Sequence, residues 1–97
     1  MMDEAIRNEI VALGRKAHEL TDSACRQHPS TRGDADWLDK QRLLLADMAL
    51  HLLHTALSDD ELSTADLKRN LYAILTLSHQ FIPGSELKAV ADTLVGT

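Results

Sequence analysis

The sequence predicts a small all-α protein, an antiparallel helical bundle of about four helices completed by dimerisation. Three observations predict it. Hydrophobic residues make up 44% of the 97 residues but aromatics only 3%, so Leu, Ala, Ile and Val must build the core. Apolar residues recur at spacings of three and four, and no segment alternates as a half-buried strand does. The stretch 43–57, LLLADMALHLLHTAL, is apolar almost all the way round a helix.

The first helix is expected over 3–27. Asp3 and Glu4 place negative charge where the helix dipole favours it. Ile6, Ile10, Leu13, Ala17, Leu20 and Ala24 alternate spacings of four and three, which is a heptad seam. Gly14 falls within this helix, at a cost of about 1 kcal/mol relative to Ala. Such seams are common inside antiparallel bundles, so this one is expected to lie on the protein's own helices. The alternative is an intermolecular coiled coil.

Residues 29–34, PSTRGD, carry turn chemistry. The second helix is expected over 36–57, with Asp36 as its N-cap and Asp39 three residues on. Leu43, Ala46, Leu50, Leu53 and Leu57 form one stripe on it. Leu38, Leu45, Ala49, Leu52 and Ala56 form a second, and Leu44 with Met48 extends it. A helix apolar on several faces must be covered on several faces. The other helices of so short a chain cover only part of it. Leu38, Leu43, Leu45, Leu50, Leu52 and Leu57 are therefore the expected interface residues of a homodimer.

Residues 58–62, SDDEL, make a polar joint, and Ser63 with Asp66 signals the next N-terminus. The third helix is expected over 64–82. Leu67, Leu71, Ile74, Leu75, Ser78 and Phe81 line one face, while Asp66, Arg69, Thr76 and Gln80 turn away. Pro83-Gly84 ends it, because proline cannot continue the ladder and disfavours a helical residue before it. Ser85 is the expected cap of a short fourth helix, 86–95, whose inner face is Leu87, Val90, Ala91 and Leu94. Gly96 is its expected stop.

The net charge is −5, and the ten basic residues are scattered rather than striped. Nucleic-acid binding needs Lys and Arg to displace counterions, so none is expected. Anionic membranes are disfavoured for the same reason. A single cysteine, Cys25, forms no internal disulfide, and the N-terminus MMDEAIRNEI is charged. The Leu-rich run is too short to span a bilayer. The expected location is a reducing cytoplasm.

Asp47, His51 and His54 are the sharpest candidates for chemistry. At i, i+4 and i+7 they share one helix face, and their side chains are suitable ligands for zinc or iron. His18 or His79 would have to complete such a site from another helix. The plainer reading makes Lys40, Asp47, His51, His54 and Ser58 a polar stripe facing water, with no metal bound. Cys25 is a reactive thiol if Arg26 and His28 lower its pKa, or a small apolar core residue. Trp37 is expected to close one end of the core. The four glycines are isolated, no phosphate loop exists, and no nucleophile–base–orienter set can be assembled. Neither an enzyme nor a cofactor is expected.

From Leu43 to Leu94 the chain gives a Leu/Ala-rich helix, an acidic joint, a helix reading LKRNLYAILTLSHQF, a break and a short helix reading ELKAVADTL. This layout resembles the AriR family of small biofilm and acid-resistance regulators. The resemblance implies a homodimeric, all-helical bacterial regulator acting through protein contacts, and it transfers no individual site residue. The expected function is a small non-enzymatic regulatory protein, an adaptor or inhibitor of a transcriptional or signalling regulator. The alternative is a helical bundle binding a metal or small ligand through His51 and His54.

Overall fold

The computed structural model describes residues 3–29, 33–58 and 61–95. It contains four α-helices and, among the described residues, no strand. These are α1 Glu4–Gln27, α2 Trp37–Leu57, α3 Thr64–His79 and α4 Leu87–Val95. The all-α expectation therefore holds. Residues 30–32 of the expected turn, Asp59 and Asp60 of the acidic joint, and Gly96 lie outside the described residues.

Local chemistry explains most helix ends. The Asp3 carboxylate accepts from the N–H groups of Ala5 and Ile6 at 2.8 and 3.2 Å, capping α1. Ser63 Oγ accepts from the Asp66 N–H at 3.2 Å and caps α3. Asp36 precedes α2 but caps nothing with its side chain. Its carboxylate lies 3.9 Å from His28 Nε2, bracing the end of α1 against the start of α2.

Two boundaries differ from expectation. Helix α3 ends at His79 rather than near Ile82, because the N–H groups of Phe81 and Ile82 both turn to the Ser78 carbonyl. Pro83 already forbids further helix there. Ser85 does not stand next to α4: Glu86 lies between them, and the Ser85 hydroxyl donates to the Ile82 carbonyl at 2.6 Å. The chain instead enters α4 through Glu86 at φ 59°, whose carbonyl accepts from the Val90 N–H.

The helices pack in series: α1 on α2, α2 on α3, and α3 on α4. Among the described residues no other pair approaches as closely. On the α2–α3 side, the buried Gln41 accepts from Gln80 at 3.0 Å, and Asn70 donates to Thr55. Thr76, expected to face away, is half-buried with its hydroxyl shielded and unbonded. On the α3–α4 side, Lys88 Nζ lies 4.5 Å from the Tyr72 ring centre and donates to the Tyr72 hydroxyl and to Asp92. The hydrogen bond to Asp92, then that to Tyr72, holds the Lys88 ammonium above its usual pKa. Ala91 is fully buried, but Val90 is exposed rather than on the inner face.

A serial arrangement buries little. Among the described residues the only buried hydrophobic ones are Cys25 and Ala91, and no large side chain is fully buried. The radius of gyration is 15.1 Å, against about 12.5 Å for a compact domain of this length. The molecule is flattened, 45 × 34 × 16 Å. Its accessible surface is 6818 Å², where a compact monomer of this mass exposes about 5,500 Å².

The apolar excess lies on α1. Val11, Gly14, His18, Thr21 and Cys25 form the stripe that meets α2. That stripe sits one residue, or about 100° of helix rotation, away from the heptad seam. The expectation that the seam packs inside the monomer is overturned. Ile6, Ile10, Leu13 and Leu20 are 55, 37, 63 and 67% exposed. Gly14 explains part of the choice, since a Cβ on it would stand 2.8 Å from Leu53 Cδ2. At Gly14 the helices meet where α1 has no side chain.

Substitution at Gly14 measures that approach. Leu53 Cδ2 ends a flexible side chain, so Gly14→Ala should be nearly neutral, the strain offset by about 1 kcal/mol of helix propensity. Gly14→Leu should destabilise by about 1–3 kcal/mol in urea unfolding, as overpacked sites do.

Candidate functional site

Helix α2 carries one carboxylate that water does not reach. Asp47 is only 4% exposed, on a helix otherwise rich in Leu and Ala. A buried carboxylate needs partners, because leaving it unpaired costs several kcal/mol. Helix α1 supplies two. Thr21 Oγ1 donates to Asp47 Oδ1 at 2.6 Å, and His18 Nε2 lies 3.2 Å from the same oxygen. His51, one turn along α2, places its Nε2 3.4 Å from Oδ2. The two imidazoles meet edge to face, with ring centres 4.4 Å apart and Nε2 atoms 2.9 Å apart. His18 and His51 remain partly exposed, at 34% and 46% of their side-chain surface.

Beside this cluster lies a half-open cleft of about 210 Å³ between α1 and α2. Val11, Gly14, Arg15, Leu50, Leu53 and His54 line it together with His18 and His51.

The structure sorts the candidates from the sequence. Asp47 and His51 come together as expected, and His18 joins them from α1. His54 lines the cleft but does not join the cluster, and His79, on α3, is not among the grouped ligands. The reading of Asp47 as part of a water-facing stripe is overturned, because that part of the stripe faces α1. Thr21 was not legible as a site residue. Its only signal was its place three residues after His18 on the stripe through Gly14 and Cys25.

Cys25 is buried, and that burial, followed by the nearby Asp47 and Asp22 carboxylates, raises its thiol pKa. The thiol packs as a small apolar residue. Trp37 is half-buried at the start of α2. Leu43, Leu45, Leu50, Leu52 and Leu57 are half-buried within the monomer, and Leu38 is half-exposed.

No family model, curated protein or solved structure matches the chain. Among the described residues, no helix is long and apolar enough to cross a membrane.

Two outcomes test this geometry. Thr21→Val removes the donor to a buried carboxylate and should cost about 1.5–3 kcal/mol in urea unfolding. Cys25 should react slowly with a disulfide reagent in the native protein and quickly in urea. Its raised pKa means that folding favours the neutral thiol. That contribution is present below the ordinary thiol range, about pH 8.5, and is lost as pH rises through the folded value.

Proposed function

We propose that this chain is a non-enzymatic regulatory protein that acts through protein contacts and completes its core by pairing with a second copy. The observation that carries this reading is the α1 seam. Ile6, Ile10, Leu13 and Leu20 stand exposed on one face at heptad spacing. Exposed apolar patches of this kind mark interaction sites.

A second copy is the fitting occupant for three reasons. A heptad seam is best covered by another heptad seam, with knobs entering holes. Glu9 and Lys16 are exposed one heptad apart on the flank of the seam away from α2. Two antiparallel copies would bring Glu9 toward the partner's Lys16. The monomer also exposes about 1,300 Å² more than a compact chain of its mass, and a standard interface takes about 800 Å² from each partner. The α2 residues Leu38, Leu43, Leu45, Leu50, Leu52 and Leu57 remain candidates for a secondary surface.

The regulatory part of the proposal rests on small size, acidic charge, lack of a catalytic set in the sequence and the AriR-like layout of residues 43–94. An acidic surface, including Glu61, fits a basic partner such as a transcriptional or signalling regulator and would chiefly tune on-rate and salt dependence. Proposed with it are a cytoplasmic location, a bacterial source, and a place in biofilm or stress responses.

Light scattering at micromolar concentration tests the pairing. The chain should weigh about twice its 10.7 kDa. Leu13→Asp and Leu20→Asp should yield helical monomers, because each puts an unpaired charge into the seam. A monomer mass for the unaltered chain would overturn the proposal.

A further inference from the structure

We propose that His18, Asp47 and His51 form a binding site for a divalent transition-metal ion, bridging α1 and α2. A neutral imidazole carries one N–H, so its two ring nitrogens cannot both donate. The Nε2 atoms of His18 and His51 lie 2.9 Å apart, and each also faces an oxygen of Asp47. If His18 Nε2–H donates to His51, the bare His51 Nε2 faces Oδ2 at 3.4 Å, lone pair to lone pair. If His51 donates instead, the bare His18 Nε2 faces Oδ1 at 3.2 Å. If both nitrogens carry protons, two N–H groups point at each other. With Asp47 ionised, no arrangement of imidazole protons satisfies all three contacts. A cation placed among the three groups does.

The spacing fits such an ion. Zinc bound tetrahedrally at 2.0–2.1 Å sets its ligand atoms about 3.3 Å apart. The two Nε2 atoms stand 2.9 Å apart, with His18 3.2 Å from Asp47 Oδ1 and His51 3.4 Å from Oδ2, so both carboxylate oxygens border the ion's place. One ligand atom from each of the three residues lies within 4.8 Å of the others. Two imidazoles and a carboxylate suit zinc, cobalt and copper better than calcium or magnesium.

The surroundings are those of a built site. Thr21 donates to Asp47 Oδ1 at 2.6 Å and fixes the carboxylate from behind, as outer-shell groups do. The partly exposed imidazoles leave a path from solvent. Three protein ligands leave a fourth position open, and the cleft lined by Leu50, Leu53 and His54 adjoins it. That position suits water or a small ligand rather than a fourth protein group. The site stands on α1–α2 contacts alone and does not depend on what covers the α1 seam.

Isothermal titration of untagged, chelator-treated full-length chain with zinc chloride tests the site. The expected result is saturable binding of one zinc per chain. His18→Gln and His51→Gln should each weaken binding at least about tenfold, while His79→Gln, on α3 and outside the cluster, should leave it unchanged. Cobalt added to the unaltered chain should give the intense visible bands of a tetrahedral ion. That readout stands even if a His variant fails to fold. No saturable zinc binding, zinc binding indifferent to His18→Gln and His51→Gln, or only the faint spectrum of hydrated cobalt would each overturn the proposal.

Discussion

The fold turns on one buried carboxylate. Asp47 sits on the most apolar helix of the chain and is sealed from water. Beyond His51 on its own helix, its partners must come from a neighbour, and α1 brings a hydroxyl and an imidazole to one of its oxygens. That requirement fixes the rotation of α1 on α2. Thr21 and His18 must face inward, and Gly14, one turn earlier, then falls where the backbones meet. Cys25, one turn later, closes the same stripe.

This choice has a cost that appears elsewhere. Helix α1 carries two stripes one residue apart, one small and polar, the other large and apolar. They cannot both face α2. Packing the apolar seam on α2 would leave Asp47 without the Thr21 and His18 partners, and an under-partnered buried carboxylate costs more than one seam residue regains. The polar stripe wins, and Ile6, Leu13 and Leu20 are left in water. The flattened shape and the near absence of a buried apolar core among the described residues follow from this serial packing. The proposed pairing of two seams would resolve the conflict without disturbing Asp47.

Periodicity made the helices legible, because a 3.6-residue pattern shows in sequence wherever a face is apolar. Ser63 was legible as a cap because an N-cap is local chemistry, whereas Asp3 was read only as charge favouring the helix dipole. The orientation of α1 was not legible. Its seam is the stronger apolar signal, and apolar strength says nothing about a polar debt on another helix. Asp47 and His51 were visible as a pair on one face, but the link to His18 spans 29 residues of sequence and is set only by packing. Thr21 was hidden for the same reason. Ser85 misled because a serine before a helical run reads as a cap, whereas the Ile82 carbonyl sits closer to its hydroxyl.

The proposed arrangement turns the α1 seam toward a second copy while the polar stripe faces α2. Isotope-filtered nuclear Overhauser spectra on a mixture of labelled and unlabelled chains address it most directly. The account predicts intermolecular contacts among the methyl groups of Ile6, Ile10, Leu13 and Leu20, with Thr21 and Val11 showing only intramolecular contacts to α2. Intramolecular contacts from Leu13 and Leu20 to α2 methyls, with none between chains, would contradict it.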